Sequence, residues 1–280
     1  MVVVIGWRGE PNIKDEPQHV KQGKVQLELL DAMDISYEII SKDDEQVARK
    51  ISDVVETAKN DCRPIVLLIK KGTFEKYGKE IKQSDVQRMK REEALEIVLE
   101  SLDDNAIVVS TTGKTSREIF EIREKESQSH EQDFLTVGSM GHCSSIALGI
   151  ALSKPRRPVV CIDGDGAMLM HLGSLTTIVS LKPNNFRHIL MNNGVHESVG
   201  GQATAAKNID LSAIVEAVGT SKMFKAETPT ELKENIPKFL SCVGPSFFEI
   251  KICPGSRVDL GRPTIKPVDN KQDFMKFLKK

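Results

Sequence analysis

Short runs of apolar residues alternate along the chain with longer segments whose apolar residues recur at helical spacing. The continuous runs cover residues 1–5, 65–69, 107–109, 159–162, 186–191 and 247–252, and shorter strand-like segments cover 36–40, 134–137 and 222–225. The helical pattern covers residues 17–33, 41–58, 91–102, 144–152 and 211–218 and a segment from residue 228. Short apolar runs bounded by turn residues are typical of strands buried on both faces. The alternation predicts an α/β protein with two doubly wound parallel-sheet domains.

A polar segment of mixed charge at residues 76–89 predicts a linker between the two domains. Residues 1–75 would form the first domain and residues 90–255 the second, followed by a loosely packed C-terminal tail at 256–280. The opening run, residues 1–5, is apolar on both faces and should therefore be central in its sheet. Either that sheet is small or the chain begins inside a domain, which makes the first domain incomplete.

Polar residues cluster where two of the predicted strands end. Asp163-Gly164-Asp165-Gly166 follows the run 159–162, and Asn192-Asn193-Gly194 follows the run 186–191, with a helix-compatible stretch between them. Open α/β sheets bind ligands at this edge, where glycines permit close approach and a helix start favours an anion. Asp165 and Asn193 offer the hard oxygen ligands that suit Mg²⁺. The pattern predicts a site for a metal diphosphate.

Other interpretations of these motifs fit less well. A dinucleotide-binding fingerprint fails because Met168 and Leu169 stand where its last glycine should be. An EF-hand loop starting at Asp163 fails because Ser174 takes the twelfth position, which needs a bidentate glutamate. Residues 110–115, with hydroxyls, a glycine and a lysine, suit phosphate or amide binding, although they also fit an ordinary capped helix start.

Composition narrows the function further. The chain has 39 Lys and Arg against 40 Asp and Glu, a net charge of −1, and therefore no basic excess for nucleic acid. Its longest apolar runs are far shorter than a membrane span, and no signal-peptide pattern precedes them. The five cysteines lack CxxC spacing and are interpreted as reduced packing residues. We expect a cytoplasmic protein that binds neither nucleic acid nor a membrane.

The spacing from Gly164-Asp165-Gly166 to Asn192-Asn193 resembles the GDG…NN signature of thiamine-diphosphate enzymes. Further segments resemble the phosphonopyruvate decarboxylase family: GWRGEPNIKDEPQHV, STTGKTSRE, FLTVGSMGH and NNGVHESVGGQ. The resemblance runs from residue 1 to about residue 260. It implies a pyrimidine-binding domain within residues 1–75, a diphosphate-binding domain within 90–255, and a homo-oligomer whose cofactor sites are shared between subunits.

The resemblance also assigns roles to individual residues. Mg²⁺ would be held by Asp165, the Asn193 side chain and the Val195 carbonyl. Met140 would hold the cofactor bent, unless it is a plain core methionine, and the Gly138 carbonyl would accept a hydrogen bond from the cofactor's amino group. The implied thiamine diphosphate contacts are Gly113, Gly138, Ser139, Met140, Gly164, Asp165, Gly166, Ala167, Asn193 and Val195.

The substrate implied by the family is a small 2-oxo acid bearing a phosphonate. The implied catalytic residues are His142, His196 and Glu197, although Glu197 could instead be a structural acceptor for backbone amides. A phosphonate dianion needs cationic or amide partners. The candidates at the predicted active edge are Arg8, Lys14, His19, Lys114, Arg117, His142 and His196, each of which could also be a solvated surface charge.

One part of the family pattern has no counterpart in this sequence. Thiamine-diphosphate decarboxylases activate the cofactor ring with a glutamate early in the pyrimidine-binding domain, in a segment that would precede Met1. Glu10 and Glu16 lie in a different loop. The resemblance therefore predicts a phosphonopyruvate decarboxylase shortened at its N-terminus. Two alternatives remain, a sulfopyruvate decarboxylase and a truncated, non-catalytic product that binds cofactor or partner chains.

Overall fold

The computed structural model describes residues 1–75 and 88–280 of the chain. The chain divides into two compact units, Met1–Glu80 and Ile81–Lys280. Most of the predicted linker, residues 76–87 of 76–89, lies outside the described residues. Each unit is an α/β assembly around a parallel sheet.

The first unit has a three-stranded parallel sheet with one helix on each face. Its elements are β1 (Val2–Gly6), α1 (Pro17–Ala32), β2 (Tyr37–Ile40), α2 (Val47–Asn60) and β3 (Ile65–Ile69), with strand order β1-β3-β2. Side chains of β3 alternate between the faces, as strand geometry requires. Ile65 and Leu67 belong to the core that includes α2, and Val66 and Leu68 to the core that includes α1.

Two local predictions in the first unit were wrong. The opening strand β1 is an edge strand of this sheet, paired only with β3 among the described residues, and Val4 is 65% exposed. Helix α2 begins at Val47 and not near Ser41. Asp44 explains the delay, because its Oδ1 accepts the Gln46 N–H at 3.0 Å in a local turn that competes with helix.

The second unit is built on a six-stranded parallel sheet. Its strands are β4 (Ile107–Ser110), β5 (Asp133–Leu135), β6 (Val159–Gly164), β7 (Phe186–Asn192), β10 (Lys222–Ala226) and β11 (Ser246–Lys251), in the order β10-β11-β7-β6-β4-β5. A separate antiparallel ribbon joins β8 (Val195–His196) and β9 (Gln202–Ala203). The predicted strands on either side of the GDG and NN motifs are therefore adjacent in the sheet.

Helices cover both faces of this sheet. One core contains α3 (Arg91–Glu100), α4 (Lys114–Lys125) and α9 (Pro229–Ser241), and the other contains α5 (Cys143–Ser153), α7 (Ser174–Leu181), α8 (Leu211–Val218) and α10 (Pro267–Phe277). The stretch after β6 forms two short helices, α6 (Asp165–Met170) and then α7. Thr228, where the sequence predicted a helix to begin, caps α9 in a capping box with Glu231. The doubly wound parallel architecture predicted from the sequence is confirmed.

Helix α10, within the tail 256–280 that was predicted to be loosely packed, packs against the second unit. Phe274 and Phe277 of α10 are buried against the core, and burial of a side chain of this size contributes about 1.5–3 kcal/mol. The Asn270 Nδ2 donates to the Asp133 carbonyl at 3.0 Å, and its Oδ1 accepts the Leu135 N–H at 3.3 Å. Helix α10 is thereby fixed to the edge strand β5. Across residues 1–75 and 88–280, no helix has the length and apolar character needed to cross a bilayer.

Candidate cofactor site

Four loops meet the carboxyl ends of four neighbouring strands in the second unit. They follow β4, β5, β6 and β7, which are adjacent in the sheet. The predicted cofactor residues lie in these loops or in the elements directly beside them: Gly113, Gly138, Ser139, Met140 and Asn193 in the loops, Gly164 at the end of β6, Gly166 in α6 and Val195 in β8. Ala167 and Asp165 lie in the first turn of α6, directly after β6.

Gly166 lies close to two side chains that follow other strands, Met140 after β5 and His196 after β7. A Cβ atom on Gly166 would lie 2.7 Å from both Nδ1 and Cε1 of His196 and 3.3 Å from the Met140 Cε. Because glycine has no Cβ, the side chains of His196 and Met140 can both lie close to its backbone. They therefore occupy one small region at the edge of the sheet. No side-chain hydrogen bond of His196 is present in the described part of the chain.

Asp165 is a buried carboxylate, 3% exposed, held by hydrogen bonds and not by an ion pair within the described ranges. Its Oδ2 accepts the Thr204 hydroxyl, and backbone amides of Asn193 and Gly166 also donate to the carboxylate. Burial raises the pKa of the Asp165 carboxyl above its ordinary value, although these hydrogen bonds oppose the shift. A bound cation would supply the positive charge that the side chains around Asp165 do not.

Asn193 forms the turn beside Asp165. Its Oδ1 accepts the Val195 N–H at 3.0 Å, and its Nδ2 donates to the Glu197 Oε2 at 3.0 Å. An amide oxygen has two lone pairs, so Oδ1 keeps one for a further partner. The donor set of Asp165, Asn193 and a backbone carbonyl consists of hard oxygens, which fits Mg²⁺.

Glu197 is the centre of a buried charge network. Its carboxylate accepts the Lys114 Nζ at 2.8 Å and the Arg91 Nη1 at 2.9 Å, and Arg91 also donates to both oxygens of buried Glu118, at 2.6 and 2.8 Å. Burial alone would raise the pKa of the Glu197 carboxyl, but Arg91 and Lys114 outweigh it and the pKa lies below its ordinary range. Arg91, Lys114 and Asn193 all donate to the Glu197 carboxylate and keep it ionised. This favours a structural role for Glu197 over a role in proton transfer.

The remaining predicted residues have separate environments. The His142 Nδ1 lies 3.2 Å from the Ser139 carbonyl, and the exposed His142 ring contacts the His171 ring at 4.3 Å between centroids. Gly113 has φ +98°, and a Cβ there would meet the Ser198 Oγ at 2.7 Å. The Gly138 N–H donates to the Thr112 Oγ1 at 3.0 Å, which joins the loops after β4 and β5.

In the first unit, two of the three cations predicted to bind phosphonate, Arg8 and His19, contact Asp15, whereas the Lys14 side chain does not. Arg8 donates to Asp15 from Nε at 2.9 Å and from Nη2 at 2.5 Å, and the His19 Nδ1 lies 3.2 Å from it. The Arg8 hydrogen bond is the main reason that the pKa of Asp15 lies well below its ordinary value. Sequence reasoning missed these pairings, as well as Arg91, Glu118, Thr204 and His171 near the loops of the second unit.

Comparisons with known proteins agree with this geometry. The family profile described as "Thiamine pyrophosphate enzyme, C-terminal TPP binding domain" matches residues 111–250. Phosphonopyruvate decarboxylase of Streptomyces viridochromogenes is 34% identical, with 99% of this chain and 72% of that protein covered. Sulfopyruvate decarboxylase subunit beta of Methanothermobacter thermautotrophicus is 38% identical over 60% of this chain and 84% of that protein.

A solved structure supports the fold. Benzoylformate decarboxylase from Polynucleobacter necessarius superimposes with a TM-score of 0.52 at 19% identity, over 67% of this chain. The matched part is 36% of that protein, so the likeness concerns architecture alone. The profile match and the 34% identity over nearly the whole chain carry the assignment. The chain belongs to the phosphonopyruvate decarboxylase family of thiamine pyrophosphate enzymes.

Proposed function

We propose that this protein decarboxylates 3-phosphonopyruvate to phosphonoacetaldehyde and CO₂, with thiamine diphosphate and Mg²⁺, in phosphonate (2-aminoethylphosphonate) biosynthesis. The proposal rests on the position of buried Asp165 beside the Asn193 turn, at the ends of the adjacent strands β6 and β7. It occurs in a chain that is similar to phosphonopyruvate decarboxylase over 99% of its length.

The residues present suit the cofactor and its metal. Asp165, the Asn193 Oδ1 and the Val195 carbonyl would hold Mg²⁺, because a buried carboxylate without an ion pair in the described ranges calls for a cation. Because Gly166 has no side chain, there would be room beside it for the diphosphate and the thiazolium ring of the cofactor. The other residues proposed to contact the cofactor are Gly113, Gly138, Ser139, Gly164 and Ala167. When bound, thiamine diphosphate supplies the electron sink for the carbanion left by loss of CO₂.

The side chains around this space would bind the substrate, exclude water and move a proton. Met140 and Val195 are apolar walls, and excluding water favours loss of a charged carboxylate. His196 and His142 are the candidate groups for holding or transferring a proton at a ring nitrogen. Glu197, fixed by Arg91 and Lys114, would position the loop that carries His196.

The proposal includes a cytoplasmic homo-oligomer in which two copies share each site. Residues 1–75 would supply the pyrimidine-binding side of the cofactor site and residues 90–255 the diphosphate-binding side. Light scattering of the purified chain with thiamine diphosphate and Mg²⁺ tests the assembly, and a monomer with bound cofactor would contradict it.

Purified protein with thiamine diphosphate and Mg²⁺ should convert phosphonopyruvate to CO₂ and aldehyde. Asp165→Ala should abolish this turnover, whereas Asp104→Ala, an exposed acid far along the chain from the motif, should leave it unchanged. Cofactor binding without turnover of any 2-oxo acid would contradict the proposal and favour a non-catalytic binding protein.

Sulfopyruvate is the second candidate substrate, because sulfopyruvate decarboxylase subunit beta is 38% identical over part of the chain. A sulfonate is a monoanion and a phosphonate carries up to two charges, so the two should differ in kcat/KM. Parallel assays at equal substrate concentration decide between them. A higher kcat/KM for sulfopyruvate would reverse the assignment of substrate while leaving the decarboxylase assignment intact.

A further inference from the structure

Side chains of two cysteines, an aspartate and a histidine lie close together on one face of the sheet of the second unit, apart from the predicted Mg²⁺ site at Asp165. Cys161 and Asp163 are two residues apart on β6 and therefore point to the same face. His188 on β7 is the register partner of Cys161, and Cys143 is the first residue of α5, which packs on this face. All four residues are at most 3% exposed.

Two distances within this cluster match those around a tetrahedral ion, and His188 lies outside the three residues whose ligand atoms are all close to one another. The Cys143 and Cys161 Sγ atoms are 3.8 Å apart, and the ligand atoms of these cysteines and Asp163 lie within 4.8 Å of one another. The His188 Nε2 is 3.4 Å from the Asp163 Oδ2. Zinc with bonds of about 2.3 Å to sulfur and about 2.0–2.1 Å to nitrogen or oxygen would separate such pairs by about 3.8 Å and about 3.4 Å.

Two atoms of the cluster have no hydrogen-bond partner in the described residues. The Asp163 Oδ2 and the His188 Nε2 are both buried and make no hydrogen bond, although they lie 3.4 Å apart and form an ion pair when the imidazole is protonated. The other Asp163 oxygen accepts the Gly164 N–H at 2.9 Å, which fixes the carboxylate on β6. Buried polar atoms without partners are rare in folded proteins and mark a position for an ion or water.

We propose that Cys143, Cys161 and Asp163 bind one Zn²⁺ as a structural site, and that His188 reaches the ion as the fourth ligand by a change of its side-chain torsions. Two sulfurs, a nitrogen and an oxygen are a zinc donor set, whereas Mg²⁺ takes oxygens, so this site and the predicted one at Asp165 select different metals. The ion joins β6, β7 and α5 beneath the turn that carries Gly164, Asp165 and Gly166. Because the cluster is buried, zinc enters as the chain folds and the two thiols lose their protons.

Elemental analysis of the full chain, produced in zinc-supplemented medium and desalted, should give about one zinc ion per chain. Cys143→Ala and Cys161→Ala should lose it, and Cys62→Ala, at an exposed cysteine, should keep it. Asp165→Asn should also keep it, which separates this site from the predicted Mg²⁺ site. A zinc-free wild type, or folded Cys143→Ala and Cys161→Ala proteins with unchanged zinc, would overturn the proposal.

A measurement on the wild type covers the case in which the cysteine variants do not fold. Protein produced with cobalt(II) in place of zinc should show a thiolate-to-metal charge-transfer band and the intense visible bands of tetrahedral cobalt. Wild-type protein that takes up no cobalt, or binds it with an octahedral spectrum and no thiolate band, would refute the site.

Discussion

Arg91 and Glu197 form a buried ion pair, 2.9 Å between Nη1 and Oε2, although they are 106 positions apart in the chain. Arg91 opens helix α3, and Glu197 follows the Asn193 turn. Because Arg91 also holds Glu118 on α4, one guanidinium ties the start of two helices to a loop of the candidate site. The loop is therefore positioned by the body of the second unit and not only by its own turn.

Replacement of Arg91 tests how much this network of ion pairs contributes to the stability of the protein. Arg91→Met should leave buried Glu118 without its cationic partner, remove one of the two cations at Glu197, and lower the free energy of unfolding by about 3–5 kcal/mol. Urea denaturation at neutral pH measures the loss. Lys125→Met removes the exposed pair with Glu96 and serves as the control, for which little change is expected. Equal stability of the two variants would contradict a structural role for Arg91.

The metal assignment is tested at Asp165 and Asn193. Asp165→Ala removes the anionic ligand that faces the diphosphate, so calorimetric titration with thiamine diphosphate and Mg²⁺ should detect no binding. Asn193→Ala removes a neutral ligand and should weaken binding less. Unchanged affinity in Asp165→Ala would exclude this carboxylate from the metal site.

Thr204 is expected to act on the metal through Asp165, to which its hydroxyl donates. Thr204→Val keeps the shape but removes the donor, and loss of such a supporting hydrogen bond costs about 10- to 100-fold in metal affinity. Mg²⁺ titration in the presence of thiamine diphosphate measures the change. Thr230→Val, at an exposed position of α9, is the matched control and should bind like the wild type.

Gly166→Ala should reduce cofactor affinity while the chain still folds. The added Cβ would lie 2.7 Å from the His196 ring, and overpacking of this kind costs about 1–3 kcal/mol. The expected loss in affinity for thiamine diphosphate is about ten- to a hundredfold. Gly149→Ala on α5 adds a Cβ with nothing within 4 Å, and should keep both the affinity and the Tm. A similar affinity for the two variants would show that the space at Gly166 is not used.

The Arg8–Asp15 pair predicts how the stability of the first unit depends on pH. The pKa of Asp15 is lower in the folded chain than in the unfolded chain, chiefly through the Arg8 hydrogen bond. The unfolded state then binds more protons, so this stabilisation is present above the ordinary aspartate pKa of about 3.9 and is lost as pH falls below it. Asp15→Asn should lower stability at pH 7 and flatten the acid loss, whereas Asp61→Asn should not. Urea unfolding at several pH values measures both.

The sequence was most informative where local pattern decides structure. The runs that became β6 and β7 and the start of α9 each depend on residues close together in the chain, and the structure has them near the predicted bounds. The edge position of β1 could not be read in this way, because strand order depends on contacts between segments far apart. Burial of one side of α10 had a signal, since Phe274, Phe277 and Leu278 fall on one helical face.

The supporting contacts of the candidate site lacked any local signal. Thr204 is 39 residues from Asp165, and Glu118 is 27 residues from Arg91, so no spacing rule joins them. The sequence therefore predicted residues in the four loops, but not the residues that hold those loops.

The contact of Asn270 with β5 has a consequence for association between molecules. The side-chain amide donates to the Asp133 carbonyl and accepts the Leu135 N–H, the two groups that a neighbouring parallel strand would use opposite Phe134. An edge strand with those groups free is a template for pairing with another chain. Helix α10 thus protects this edge of the sheet from pairing with another chain. If heating detaches α10 before the sheet unfolds, β5 would be the first strand exposed to aggregation.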